Sequence, residues 1–96
     1  MFNGIIYNTG LVKKFIKRKE GINLFLKSDL KISRSDIGIS IACDGVCLTL
    51  ISKKKKILEF FLSDETIKRS NFKYCKIGKV VNIEKPLKKG ENISGH

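Results

Sequence analysis

The stretch SIACDGVCLTL, residues 40–50, decides the fold because it reads as two short β-strands joined by Asp44-Gly45. An Asp-Gly pair between alternating segments is among the strongest signals for a hairpin with a two-residue type I′ turn. Such a turn fixes the register of the two strands. The predicted opposed pairs are Cys43 with Val46, Ala42 with Cys47, and Ser40 with Thr49.

This register gives the hairpin two unlike faces, because opposed residues share a face and the faces alternate along each strand. One face is apolar and is predicted to join the core: Ile39, Ile41, Cys43, Val46, Leu48 and Leu50. The other face, which we call the small-residue shelf, consists of Ser40, Ala42, Cys47 and Thr49. A plain solvent-facing surface of so lysine-rich a chain should carry long charged side chains, and this face carries none. The pattern favours a surface on which a flat ligand lies.

The composition is that of one domain, predicted to span residues 1–96 without a linker or an internal repeat. No apolar run approaches the ~18 residues of a membrane-spanning helix, and the first ten residues lack the layout of a secretory signal. A cytoplasmic, reducing setting is therefore expected. In that setting the three cysteines are predicted to be free thiols.

The net charge of +11 raises the possibility of a nucleic-acid partner. Two features argue against it. Arginine, whose planar fork suits phosphate and base recognition, occurs only at Arg18, Arg34 and Arg69. The lysines are scattered, apart from residues 53–56, which are predicted to form the solvated tip of a hairpin. Nucleic acid stays a minor alternative.

Period-two patterning predicts six strands. The first covers residues 4–18 and is one long or bent strand, broken by Gly10; the others cover 21–29, the two arms of the hairpin up to about Ser52, 57–62 and 79–87. The helical stretch is 63–72, with Ser63 or Asp64 as N-cap and Asn71 as its stop. We therefore predict an all-β fold: a six-stranded antiparallel Greek-key barrel with one short helix between strands five and six.

Several chemistries are disfavoured by the residues themselves. Cys43 and Cys47 project to opposite faces and Cys75 is remote, so no metal site is predicted. The single histidine, His96, is the last residue, and no serine-histidine-acid set is visible. There is no glycine-rich phosphate loop, since Gly38 and Gly45 are isolated turn glycines.

Five blocks of the sequence resemble the N-terminal lumazine-binding domain of the riboflavin synthase family. In order and spacing they are MFNGII (1–6), DGVCLTL (44–50), ETIKRSNF (65–72), KIGKVVNIEKPL (76–87) and ISGH (93–96). The resemblance implies two similar six-stranded barrels in a full-length chain, followed by a helix that assembles a homotrimer. It also implies a reaction in which two molecules of 6,7-dimethyl-8-ribityllumazine give riboflavin and 5-amino-6-ribitylaminouracil, without metal or added cofactor. Each active site in this family lies between the barrels of neighbouring subunits.

Matching positions carry the family's site residues onto this chain. The resemblance implies catalytic roles for Ser40, Cys47 and His96. It implies substrate binding by Phe2, Gly4, Ile5, Ile6, Cys47, Leu48, Thr49, Phe61, Leu62, Ser63, Asp64, Glu65 and Thr66. Three of these residues also belong to the small-residue shelf, namely Ser40, Cys47 and Thr49, so the two lines of reasoning converge.

Three functions stay open at this point. The chain could be the N-terminal half of a riboflavin synthase, a non-catalytic module that holds a lumazine or flavin, or a basic barrel on nucleic acid. A thiol at Cys47 and an imidazole at His96 favour the first over the second, and the lack of interleaved aromatic residues disfavours the third. A lone barrel is expected to form a homodimer, and a full-length chain a homotrimer.

Overall fold

All six predicted strands are present in the structure, a computed structural model that describes the backbone of residues 5–86 and the side chains of residues 8–86. The strands are β1 (Ile5–Arg18), β2 (Gly21–Ser28), β3 (Ser40–Cys43), β4 (Val46–Lys54), β5 (Ile57–Ser63) and β6 (Val80–Pro86). A single α-helix, α1 (Asp64–Arg69), lies between β5 and β6 within the described range. Short 3-10 turns are formed by Arg34–Asp36 and Asn71–Tyr74.

The strands form a closed barrel in the order β1-β2-β5-β4-β3-β6, and every neighbouring pair is antiparallel. Strands β3, β4 and β5 follow one another, and β6 returns to lie beside β3, which is a Greek key. The predicted fold class is confirmed. Within residues 5–86, none of the helices has the length and apolar character needed to cross a bilayer.

The core fills the barrel interior with side chains that recur at every second position along each strand. Phe60 is the largest of the wholly enclosed side chains. The strand residues around it with at most 3% exposure are Val12, Leu24, Leu26, Ile41, Cys43, Leu48, Leu50, Leu58, Leu62, Val81 and Ile83. The opposite, outward positions are therefore the ones available for a site.

Strand β1 is the one long strand that was predicted, and it continues without a break through Gly10. Gly10 pairs with Ser28 on one side and with Val81 on the other. A Cβ atom built on Gly10 would lie 2.7 Å from Cδ1 of Ile83 and 3.3 Å from the Leu26 side chain. The glycine is thus a close-packing position within the strand and not a break in it.

Two β-bulges bend the sheet elsewhere. One lies in β1 between Val12 and Lys14, and the other lies in β4 between Leu50 and Ser52. A bulge adds one residue to its strand, increases the local twist and re-aims the side chains that follow. Both bulged strands flank the β2–β5 pair, so they shape the same side of the barrel.

The helix is shorter than predicted. Its N-cap is Ser63, whose hydroxyl accepts a hydrogen bond from the backbone N–H of Thr66 at 3.2 Å. It ends at Arg69, because the Ser70 hydroxyl instead accepts from the N–H of Phe72 and starts a 3-10 turn. Asn71 therefore begins this turn rather than ending the helix.

The connection from β2 to β3 is held against β6 by buried charges. The Asp36 carboxylate accepts a hydrogen bond from the backbone N–H of Ser33 at 2.8 Å and pairs with Lys85 at 3.2 Å. The ammonium group of Lys85 also donates to the carbonyl of Lys31 at 3.2 Å. These contacts fix the segment from which the β3–β4 hairpin starts.

Candidate functional site

The register of the β3–β4 hairpin is the predicted one. Asp44 and Gly45 have φ angles of 49° and 83°, both positive as a type I′ turn requires, and glycine adopts this conformation without strain. The opposed pairs are Ser40–Thr49, Ile41–Leu48, Ala42–Cys47 and Cys43–Val46. The prediction from the Asp-Gly turn is confirmed residue by residue.

The two predicted faces of the hairpin are also confirmed. On the apolar face Ile41, Cys43, Leu48 and Leu50 are buried, and Ile39 and Val46 are half-buried against the core. On the small-residue shelf Ser40, Cys47 and Thr49 are exposed and Ala42 is half-buried. The shelf lies on the outer surface of the barrel.

The shelf continues onto the neighbouring strands beside an aromatic ring. Thr49 stands opposite Phe61 of β5, and Phe61 in turn stands opposite Asn23 of β2. Phe61 is 38% exposed. A flat apolar surface therefore borders the small side chains of Ser40 and Thr49.

An open cleft of about 470 Å³ lies between the start of β4 and helix α1. We call it the helix cleft. Four residues predicted for the site line it, together with two from the end of the helix: Cys47, Ser63, Glu65, Thr66, Arg69 and Ser70. The cap at Ser63 turns the chain from β5 into α1, and this turn brings the helix beside Cys47.

Sequence reasoning missed Arg69 and Ser70. The guanidinium group of Arg69 lies 3.0 Å from the Glu65 carboxylate, one helical turn away, and both side chains are largely exposed. Their i,i+4 spacing was the signal that could have found Arg69, because residues four apart share one face of a helix.

The main chain of β4 presents Cys47 to the helix cleft. Leu50 donates its N–H to Ile39 and accepts from Gly38, so its backbone groups point away from β5. In an antiparallel ladder this direction alternates, so the backbone groups of Cys47 and Thr49 point toward β5. Pairing between β4 and β5 starts at Thr49 and Phe61. Cys47 lies before this first pair, so its backbone groups face the helix cleft and not a partner residue of β5.

Other predicted residues are placed differently. Leu48 and Leu62 point into the core, so only their main chains could reach a ligand. Asp64 is exposed in the first turn of α1. Ile5 and Ile6 pair with Pro86 and Lys85 at the start of β1. Phe2, Gly4 and His96 lie outside the described residues.

The three thiols differ in how far they are buried. Burial raises the pKa of the Cys43 thiol to about 12, with a smaller contribution from the Asp44 carboxylate. Cys47 is exposed beside the helix cleft. Cys75 is half-buried, and burial raises its pKa as well. Among the described residues no three histidine, cysteine, aspartate or glutamate side chains converge on a point that could hold a metal ion.

The sequence of the chain is similar to a known domain family and to several curated proteins. The family model described as the lumazine binding domain matches residues 3–86. The riboflavin synthases of Photobacterium leiognathi and Chlamydia pneumoniae are each 37% identical to the chain, and that of Brucella abortus is 31% identical. Each alignment covers all of this chain but only 44%, 48% and 50% of the respective relative. The chain spans about half the length of the curated relatives it matches.

Proposed function

The chain belongs to the lumazine-binding domain family, and from that premise we propose that it binds a ribityllumazine or a flavin on the small-residue shelf. It does so as one half of a riboflavin synthase, which converts two molecules of 6,7-dimethyl-8-ribityllumazine into riboflavin and 5-amino-6-ribitylaminouracil. The observation that carries the proposal is the position of Thr49 opposite the exposed ring of Phe61, next to Cys47 at the helix cleft.

The shelf suits a flat heterocycle with a polar edge. Small side chains at Ser40 and Thr49 allow a ring to approach the strands closely. The backbone N–H and C=O of Cys47 point toward the cleft, where they match the donors and acceptors of a lumazine dione edge. The hydroxyls of Ser63 and Thr66 and the carboxylate of Glu65 are available to the hydroxyls of a ribityl chain.

The chemistry proposed for the whole site begins with loss of a proton from the acidic 7-methyl group of one lumazine. The Cys47 thiol donates a hydrogen bond to the resulting anion or, as thiolate, adds to the neutral ring of the other lumazine and leaves again before the products are released. Ser40 supplies a further hydroxyl, and His96 is the proposed carrier of the proton. A four-carbon unit leaves one ring and is gained by the other, so no external oxidant or reductant is required. Orientation of the two rings supplies much of the acceleration.

A second function, binding without turnover, is favoured by the solvent exposure of the shelf. Within residues 8–86 the structure provides one such surface, whereas a reaction between two rings needs a second surface facing it. We propose that another barrel supplies it, either a second copy of this chain in a homodimer or a further barrel in a homotrimer of longer chains. A barrel without that partner holds its ligand and turns it over little.

Fluorescence titration of the 96-residue chain with riboflavin and with the ribityllumazine tests binding. We expect saturation near one ligand per barrel, with NMR shifts at residues 47–49 and 61–66. Absence of saturable binding at high micromolar ligand would contradict the proposal. Sedimentation and an assay for riboflavin formed from the lumazine separate the enzyme from the holder, since full turnover by a monomer would contradict the need for a second barrel.

A further inference from the structure

A second cleft, of about 480 Å³, crosses the outer surface of β1, β2, β5 and β4. We call it the lysine groove. Two lysines form each wall and two half-buried apolar side chains form the floor: Lys13 and Lys14, Lys54 and Lys55, and Phe25 with Ile57. None of these residues belongs to the small-residue shelf or to the helix cleft.

The shape of the groove follows from the backbone. The bulge between Val12 and Lys14 bends β1 along one wall, and the bulge between Leu50 and Ser52 bends β4 along the other. Bulges commonly re-aim side chains beside functional sites. The two lysine pairs are therefore placed on opposite sides of the same floor by strand geometry and not only by their flexible side chains.

The groove carries an excess of positive charge, four lysines against one carboxylate. Within residues 8–86 none of its lysines forms a salt bridge, and the ammonium group of Lys14 lies 4.8 Å from the centre of the Phe25 ring. The one acid in the groove is Glu59. Its carboxylate accepts hydrogen bonds from the hydroxyl of Ser52 at 2.8 Å and from the amide of Asn23, so it is held in a fixed position on the floor.

We propose that the lysine groove is a second ligand site, which binds a mononucleotide: a planar ring bearing a polyol and a phosphate monoester. The ring lies on Phe25 and Ile57, displacing Lys14 from the aromatic face. The phosphate is bound by the lysine ammonium groups of the walls, and Glu59 accepts a hydrogen bond from a hydroxyl of the polyol. A simple anion would use the lysines but not the apolar floor, and an uncharged ring would use only the floor. The size of the groove is within the range of small-molecule sites.

NMR titration of the 96-residue chain with adenosine monophosphate and with flavin mononucleotide tests this site. Inorganic phosphate and riboflavin serve as the probes that lack the ring or the charge. We expect shifts at Phe25 and Ile57 with either nucleotide, and binding about ten-fold weaker for phosphate alone. The tighter of the two nucleotides identifies the kind of ring the groove prefers.

Matched charge variants locate the binding. The double variant Lys14→Gln with Lys54→Gln should weaken nucleotide binding by about five-fold or more. The variant Lys19→Gln with Lys76→Gln removes the same charge at exposed positions outside the groove and should leave binding unchanged. The proposal is overturned by equal weakening in both variants, by phosphate binding as tightly as the nucleotides, by nucleotide shifts confined to residues 47–49 and 61–66, or by no binding at millimolar nucleotide.

Discussion

The ammonium nitrogen of Lys85 lies 3.2 Å from Oδ2 of Asp36, and only 6% and 1% of the two side chains are exposed. Burial of charges in the interior is tolerated only when they are paired and hydrogen-bonded, as these are. The pair joins β6 to the segment that leads into β3, and so it supports one edge of the small-residue shelf.

Replacing Asp36 with asparagine should lower the free energy of unfolding by about 3 kcal/mol, because Lys85 would remain as an uncompensated buried charge. Urea unfolding measures the change. The matched control is Asp29→Asn, which breaks the exposed pair with Lys56 and should leave the unfolding midpoint nearly unchanged. Replacing Lys85 with methionine in the Asp36→Asn background should restore part of the loss. Equal effects of Asp36→Asn and Asp29→Asn would show that burial of the pair is irrelevant to stability.

Alkaline pH should destabilise the barrel through Cys43. Its pKa is raised from an ordinary value of 9.0 to about 12, so the folded state favours the neutral thiol. The contribution is fully present below pH 9 and is lost as the pH rises toward 12, by an amount on the order of a few kcal/mol. Unfolding free energies measured across this range should fall more steeply in the native protein than in a Cys43→Val variant. Parallel curves would contradict this prediction.

The two hairpin cysteines should differ in what serine does at each position. The Cys43 sulfur lies 3.9 Å from the carbonyl of Ile41, a distance too long for a hydroxyl to bridge. Cys43→Ser should therefore cost about 1–3 kcal/mol of unfolding free energy.

Cys47→Ser should leave stability unchanged and, in a protein that contains both barrels, lower turnover more than ligand affinity. A thiol reagent should label Cys47 in the folded state and Cys43 only after unfolding; the opposite order would refute the assignment.

A long side chain on the shelf should block the ligand without disturbing the fold. Thr49→Lys places such a chain opposite Phe61 and should abolish riboflavin binding, because the ring could no longer lie on the strand. Thr9→Lys makes the same change at an exposed position of β1, away from the shelf, and should bind normally. Unfolding midpoints should match in the two variants. Undiminished binding by Thr49→Lys would place the ligand elsewhere.

Local chemistry explains what could be predicted from the sequence. The Asp44-Gly45 turn has positive φ at both positions, and a two-residue turn leaves no freedom in the register. Both faces of the hairpin, and hence the small-residue shelf, followed from that turn. The strands followed from period-two alternation, and the helix start followed from the hydroxyl of Ser63.

Tertiary contacts explain what could not be predicted. The missing Cβ of Gly10 matters because Ile83 packs against it from a strand far along the chain, so the sequence alone left open whether the strand is straight or bent there. The bulges arise from the twist needed to close the barrel, which leaves no local signature. The partnership of Asp36 with Lys85 joins the β2–β3 connection to β6, and neither residue alone indicates it. The helix cleft depends on the angle at which α1 leaves β5.

The barrel closes between β3 and β6, and this seam has only two described register pairs, Ala42–Glu84 and Cys43–Ile83. The hairpin turn extends it, because Asp44 donates its backbone N–H to Asn82 and accepts the Asn82 N–H on its own carboxylate, each at 2.8 Å. Opening of a sheet should start where the fewest bonds must break. Amide protons along β3 should accordingly exchange with deuterium sooner than those along β5, which is paired on both sides over most of its length. Strand β3, which carries Ser40 and Ala42 of the small-residue shelf, would then move outward when a ligand binds. Thr49, on β4, would stay in register with Phe61.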